Sequence, residues 1–125
     1  MTLSTGLMRV SAVIFAVIGL GYLVVPSAML SIVGISAVPT TDFLMRTEGV
    51  ALLTGAGFLW AVREGTGGQR RVALASLAAY YVVGSLVDLA AFNSNIVGAA
   101  AAPSAVIRIA VGVLCAVAAW RERSS

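Results

Sequence analysis

Four long apolar segments constrain what this chain can fold into more than any other feature of its sequence. They cover residues 6–25, 43–62, 72–92 and 105–120. A helix needs about 20 mostly apolar residues to cross the hydrocarbon core of a bilayer. The composition agrees, because 60% of the residues are hydrophobic, whereas soluble domains are about 45–50% apolar. The sequence therefore predicts an all-α integral membrane protein, a four-helix bundle that forms one domain over residues 1–125.

A cleaved signal peptide is the alternative interpretation of the first segment. Its apolar stretch from Val10 to Val25 is at the long end for the hydrophobic region of a signal peptide, and Pro26-Ser27-Ala28 is a poor cleavage context. We therefore interpret the segment as a membrane span that ends at Pro26. The following residues, 27–33, are mostly apolar but too few to span, and they predict a short helix in the membrane interface.

The arginines predict the orientation of the spans. All eight basic residues are arginines: the linker 63–71 contains three, the C-terminal segment 121–123 contains two, and Arg9 lies at the start of the first span. The loops 26–42 and 93–104 contain none. Because basic residues accumulate in cytoplasmic loops, both termini and the middle linker are predicted to be cytoplasmic. We expect a multi-pass protein of the cell's inner (plasma) membrane.

Apart from Arg9 at the start of the first, four ionisable residues interrupt the apolar segments. They are Arg46, Glu48, Asp88 and Arg108. With alternating span directions and about 1.5 Å of rise per residue, all four lie roughly 5–8 Å below the outer membrane boundary. Two acids and two arginines thus share one depth, although a charge at mid-bilayer costs about 2.5–3.5 kcal/mol on insertion scales. They are either structural ion pairs and snorkelling groups, or the lining of a polar pocket.

The pocket hypothesis assigns a role to each of these side chains and to two neighbours. Glu48 and Asp88 are the candidate catalytic residues, because two carboxylates in different surroundings can divide acid and base roles. The candidate substrate-binding residues are Arg46, Tyr81, Arg108 and Asn93. Tyr81 shares a helix face with Asp88, whereas Tyr80 is expected to point elsewhere. Asn93 either caps its helix or rims the pocket.

Several classes of function are excluded by what the sequence lacks. It contains no histidine, which removes histidine-based triads and most zinc sites. Cys115 is the single cysteine, so no intrachain disulfide can form. The net charge of +3 is too small and dispersed for a nucleic-acid surface. No phosphate-binding glycine pattern occurs, and the glycines of the spans are interpreted as helix-packing positions. We expect neither a metal nor a cofactor.

The chain resembles the small four-helix bacterial membrane proteins of the DoxX-like type. The resemblance rests on the Pro26 exit from the first span, on Arg46-x-Glu48-Gly49 followed by Gly55 and Gly57, and on four spans with a basic middle loop. It covers the whole chain and implies a four-helix bundle. The family includes a partner subunit of quinone-linked oxidation, but that role maps to no residue of this sequence.

Two functions agree with these features. In the first, the protein is an enzyme or binding protein for a small lipophilic molecule, such as an isoprenoid or polyketide that is isomerised, cyclised or opened at an epoxide. In the second, it is a non-catalytic accessory subunit of a larger membrane complex, and its charges pair internally. A transporter is a weaker third choice, because one copy is too thin to enclose a path and would need a homodimer.

The predicted topology can be tested by cysteine labelling in intact cells. A cysteine placed at Ser94 should react with a membrane-impermeant reagent added from outside, whereas one placed at Gly67 should react only after the membrane is permeabilised. Labelling of the Gly67 position from outside would show that the predicted orientation is wrong.

Overall fold

The computed structural model describes residues 2–122. Within that range it contains five α-helices and no strand, which confirms the predicted all-α class. The helices are α1 (Leu3–Val24), α2 (Pro26–Ile32), α3 (Pro39–Val62), α4 (Gly67–Asn93) and α5 (Ala101–Arg121). The four long helices coincide with the four predicted segments, and the largest shift is at α4, which begins at Gly67 instead of residue 72.

Three of these helices are long and apolar enough to cross a membrane. They are α1, α4 and α5, with mean hydropathies of 2.1, 1.7 and 2.0. Helix α3 has 24 residues, but its first half carries Asp42, Arg46 and Glu48 and is less apolar. The structure therefore contains three candidate membrane spans among the described residues, and a fourth span along α3 stays a prediction.

Local sequence signals explain where the helices begin and end. Pro26 is the first residue of α2 and separates it from α1, as expected of a residue that cannot continue a preceding helix. The predicted short helix after the first span is confirmed, while its location in the interface stays a prediction. Helix α4 begins with a capping box, in which the Thr66 hydroxyl accepts from the Gln69 N–H and the Gln69 amide accepts from the Thr66 N–H.

The end of α4 is a Schellman motif built on an asparagine. Asn95 has a φ of 57°, in the left-handed region that asparagine tolerates better than most residues. Its N–H donates to the Phe92 carbonyl, and the Ile96 N–H donates to the Ala91 carbonyl. Helix capping in this region therefore depends on Asn95, and Asn93 is simply the last residue of α4.

Most of the packing between helices lies within two pairs, α1 with α3 and α4 with α5. In the first pair the backbones meet at Gly19 and Gly49. A Cβ at Gly49 would lie 2.7 Å from the Gly19 carbonyl oxygen, and a Cβ at Gly19 would lie 2.9 Å from the Gly49 carbonyl oxygen. Only glycine allows this approach, and small residues permit such contacts between membrane helices.

The second pair uses one glycine in the same way. A Cβ at Gly112 of α5 would lie 2.8 Å from a methyl group of Val82 on α4. Below this contact Leu74, Cys115 and Ala118 are buried together. The glycines at these crossings are packing positions, as predicted, whereas a Cβ at Gly57 would meet nothing within 4 Å.

Fewer contacts join one pair to the other. Midway along the helices, the Tyr81 hydroxyl of α4 donates to the Ser11 hydroxyl of α1 over 2.9 Å, and both residues are buried. At the end where α1 stops and α5 begins, the Gly98 N–H donates to the Val33 carbonyl over 2.8 Å. A cleft remains between the two pairs.

The opposite ends of α4 and α5 are held by a two-point ion pair. The Nε and Nη2 atoms of Arg70 each donate to one carboxylate oxygen of Glu122 over 3.2 Å. The Glu122 side chain is only 10% exposed. The hydrogen bond from Arg70 lowers the pKa of Glu122 below its usual value, and a further hydrogen bond from Ser4 of α1 acts in the same direction.

We expect Glu122→Gln to lower the free energy of unfolding by about 1–2 kcal/mol at neutral pH, because the amide loses a charge-assisted hydrogen bond. The pKa of Glu122 is lower in the folded protein than in the unfolded chain. The contribution of Glu122 to the free energy of unfolding is therefore complete above the pKa that this group has in the unfolded chain. It disappears as the pH falls through the pKa that the group has in the folded protein. The difference between wild type and variant, measured by unfolding in detergent, should shrink as the pH is lowered through the acidic range.

Glu64→Gln is the matched control. Glu64 pairs with Arg9 and Arg63 but is 65% exposed, and exposed pairs contribute about 0–1 kcal/mol. Equal destabilisation by the two variants would contradict a special role for the Arg70–Glu122 pair.

Candidate functional site

The cleft between the helix pairs has a volume of about 540 Å³. One face of α1 supplies half of its lining residues, and α4 and α5 supply most of the others. Its lining comprises Leu3, Gly6, Leu7, Val10, Ser11, Ile14, Phe15, Ile18 and Tyr22 of α1, Val33, Leu52 of α3, Tyr80, Tyr81 and Asp88 of α4, and Ser104, Ile107, Arg108 and Val111 of α5. Most of these side chains are apolar, as in ligand pockets of comparable size.

A second cavity of about 560 Å³ adjoins the end of the cleft where α1 stops. Residues common to both linings are Tyr22, Val33, Tyr80, Asp88, Ser104 and Arg108. The second cavity also reaches Glu48 of α3 and Gly84 of α4. We refer to this second cavity as the polar chamber, because Glu48, Asp88 and Arg108 all line it.

Asp88 and Arg108 form an ion pair across the junction of the cleft and the polar chamber. The Nη2 atom of Arg108 donates to Oδ2 of Asp88. The sequence placed these two residues at one depth on adjacent antiparallel helices, and the expected pairing of an acid with an arginine is present. The Nε atom of Arg108 is buried and has no hydrogen-bond partner among the described residues.

Glu48 lines the polar chamber without such a pairing. Neither an ion pair nor a hydrogen bond joins its carboxylate to another residue within 2–122. It also faces a shallower cavity between α1, α2 and α3, with Tyr22 and Leu30 in its wall. The two acids therefore occupy different surroundings: Asp88 is tied to an arginine, and Glu48 is not.

The structure does not bring Arg46 and Asn93 to the cleft. The Nε atom of Arg46 donates to Asp42 over 3.0 Å, one turn earlier on α3, and its Nη1 atom donates to the Leu23 carbonyl over 2.9 Å. Arg46 thus satisfies a carbonyl at the end of α1. Asn93 is exposed at the end of α4 and lines neither the cleft nor the polar chamber.

Three polar residues that line both cavities were not among the candidates. They are Tyr22, Tyr80 and Ser104, which all line both cavities. The expectation that Tyr80 points elsewhere is wrong, because its ring lies between α1 and α4, 5.0 Å from the Phe15 ring and 5.6 Å from the Tyr81 ring. The same depth argument could have found Tyr22, three residues before the end of the first segment, and Ser104, one helical turn before Arg108.

The chain has no match among models of known protein families, curated proteins or solved structures. The resemblance to DoxX-like proteins therefore stays a prediction. Among the described residues, no group of three or more histidine, cysteine, aspartate or glutamate side chains could hold a metal ion.

We expect Tyr81→Phe to destabilise the protein by about 0.6–1.7 kcal/mol, between the average and the maximum found for hydrogen bonds between membrane helices. The phenyl ring keeps the packing against Phe15 but leaves the buried Ser11 hydroxyl without its partner. Tyr80→Phe is the control, since the Tyr80 hydroxyl has no hydrogen-bond partner within the described part of the chain. Unfolding in detergent gives the free energy of unfolding of both variants. An equal loss of stability in the two would contradict a role for the hydrogen bond.

Proposed function

We propose that the protein is a membrane-embedded enzyme or binding protein for a small lipophilic molecule. One observation carries the proposal: an apolar cleft adjoins a polar chamber, and Glu48, Asp88 and Arg108 line that chamber. Ligand pockets typically combine a mostly apolar wall with a few convergent polar groups. Ionisable residues inside membrane segments are also functional-site candidates by default, because their insertion is costly.

The different surroundings of the two carboxylates support acid–base chemistry. Glu48, with no partner in the described chain, is assigned as the proton donor to an oxygen or double bond of the substrate. Asp88, oriented by Arg108, is assigned as the acceptor of the proton that the substrate loses in an isomerisation or cyclisation, or that the attacking water loses when an epoxide is hydrolysed. The net result is an isomerisation, a cyclisation or the opening of an epoxide, after which the proton returns from Asp88 to Glu48 through water. The proposed reaction requires neither metal nor cofactor.

The membrane arrangement belongs to the same proposal. Helix α3 crosses the membrane as the fourth span, both termini lie in the cytoplasm of a plasma-membrane protein, and the polar chamber faces the outer leaflet. The cluster of arginines in 63–71 and 121–123 supports this orientation. Residues 1–125 then form one four-helix domain.

An accessory subunit remains the second candidate, and the exposed polar residues of α3 favour it. Arg46, Thr47, Glu48 and Thr54 are all exposed on this helix. Lipid-facing surfaces rarely carry such residues, whereas contacts with another membrane subunit or a second copy accommodate them. In this alternative Glu48 pairs with a residue of the partner.

The glutamine variant of Glu48 separates the two functions. Glu48→Gln removes the acid that would donate the proton and strands no arginine, so the stability of the isolated protein should stay within about 0.5 kcal/mol of wild type. Proton transfer contributes typically about 10²–10⁴-fold, and turnover should fall by that factor. Asp88→Asn should also lose activity but unfold more easily, because Arg108 loses its charged partner.

Mass spectrometry of molecules that co-purify with each variant provides the readout. The Glu48→Gln protein should retain unreacted substrate where the wild type holds product. Isomerisation or cyclisation changes the retention time at constant mass, and epoxide hydrolysis adds one water. Glu64→Gln, an exposed acid outside both cavities, is the control and should match wild type. A wild type that carries no lipophilic molecule, combined with loss of a partner subunit from Glu48→Gln, would support the accessory role instead.

A further inference from the structure

The cleft is long and narrow. The residues of α1 that line it recur every three or four positions from Leu3 to Tyr22. The cleft therefore follows one face of this helix almost from end to end. At a rise of 1.5 Å per residue this distance is roughly 28 Å. A compact cavity of the same 540 Å³ would be only roughly 10 Å across, within the usual range of ligand-pocket sizes. The shape therefore fits one extended chain and not a compact ring system.

The polarity of the cleft is concentrated at one end. Asp88, Ser104 and Arg108 lie beside Tyr22, where α1 stops, while the opposite end is lined by Leu3, Gly6 and Leu7. Between them the Ser11 and Tyr81 hydroxyls are already hydrogen-bonded to each other. A ligand that matches this wall has one polar end and one long apolar chain.

The groups at the polar end indicate what the ligand's head carries. Asp88 and Arg108 neutralise each other, so the pair offers no net positive charge to a phosphate or carboxylate. Glu48 in the adjoining chamber adds a further acidic group. An anionic head would thus be repelled, and a phospholipid is disfavoured by its second chain.

Two atoms of this ion pair that have no hydrogen-bond partner among the described residues indicate the chemistry of the ligand's head group. The buried Nε–H of Arg108 lacks an acceptor, and the Oδ1 atom of Asp88 lacks a donor among the described residues. A hydroxyl group donates and accepts at once, whereas a carbonyl only accepts. A ligand hydroxyl is therefore the group that can both donate to the Asp88 carboxylate and accept from the Arg108 guanidinium.

We propose that the cleft binds a single-chain lipid alcohol, with its hydroxyl at Asp88 and Arg108 and its chain extended along α1. This inference rests on the proposed function, which it narrows to one substrate class. The chain reaches the site laterally from the bilayer, because Val10, Ile14 and Ile107 line the cleft and are also exposed on the membrane-facing surface.

Adjacent residues of α5 supply a matched pair of variants. Ile107 and Val106 are 64% and 65% exposed, but only Ile107 lines the cleft. Ile107→Trp should fill the cleft and Val106→Trp should extend into lipid, so both proteins should fold. Circular dichroism and thermal melting verify this before binding is measured.

Binding is measured by native mass spectrometry from phosphatidylcholine nanodiscs with three probes that share one chain. They are geranylgeraniol, geranylgeranyl monophosphate and geranylgeranylamine. We expect the alcohol to bind one per protein and at least about tenfold more tightly than either charged analogue. The acids Asp88 and Glu48 repel the phosphate. The ammonium group of the amine is attracted by these acids, but it only donates hydrogen bonds and cannot accept one from the Arg108 guanidinium. Ile107→Trp should weaken binding of the alcohol by about tenfold or more, and Val106→Trp should leave the binding unchanged.

Each contrary outcome overturns a defined part of the inference. Tighter binding of the phosphate or the amine would refute the hydroxyl head, and equal binding by Ile107→Trp and Val106→Trp would refute the cleft as the site of the chain. If the alcohol does not bind while another lipophilic molecule co-purifies with the wild type, the lipid-alcohol class is wrong and the proposed function stands. If no lipophilic molecule binds at all, both fail.

Discussion

The contact between the backbones of α1 and α3 at Gly19 and Gly49 determines much of the remaining arrangement. A side chain at either position would overlap a carbonyl oxygen of the other helix, so the two helices can pack this closely only because both residues are glycine. Gly112 allows α5 a similar approach to α4. With each pair packed internally, the surfaces between the pairs meet at few points, and the space that they do not fill is the cleft.

The packing of the helices as two pairs also determines which charged groups of the site can form an ion pair. Asp88 and Arg108 belong to one pair of helices and therefore meet each other directly. Glu48 belongs to the other pair and faces them across the polar chamber, without a partner of its own in the described chain. Arg46 lies only two residues from Glu48, but its side chain extends to the end of α1 and donates a hydrogen bond to the Leu23 carbonyl. One arginine thus contributes to the site, and the other completes a helix end.

Sequence reasoning located the helices and the level of the charges but not the partners of each charge. Periodicity and span length place residues along the membrane normal, which is why Asp88 and Arg108 could be expected to share a depth. They do not define the rotation of a helix about its own axis. This rotation separates Arg46 from Asp88, and it brings Tyr80 to the cleft although its neighbour Tyr81 was expected there alone. Asn93 illustrates the limit at a helix end, where the left-handed residue of the Schellman motif is Asn95.

By itself the sequence determined that the chain is helical, where its long helices lie, and that the four ionisable residues Arg46, Glu48, Asp88 and Arg108 of its apolar segments lie toward one end of them. These properties follow from local patterns: apolar length, capping residues, and charges counted from a helix end. Only the tertiary structure decided that the helices pack as two pairs, that Glu48 stays unpaired beside an ion pair, and that an apolar cleft adjoins them. These features depend on which residues of different helices approach each other. That approach is set by side-chain volume at the crossings, above all by the absence of a side chain at Gly19, Gly49 and Gly112.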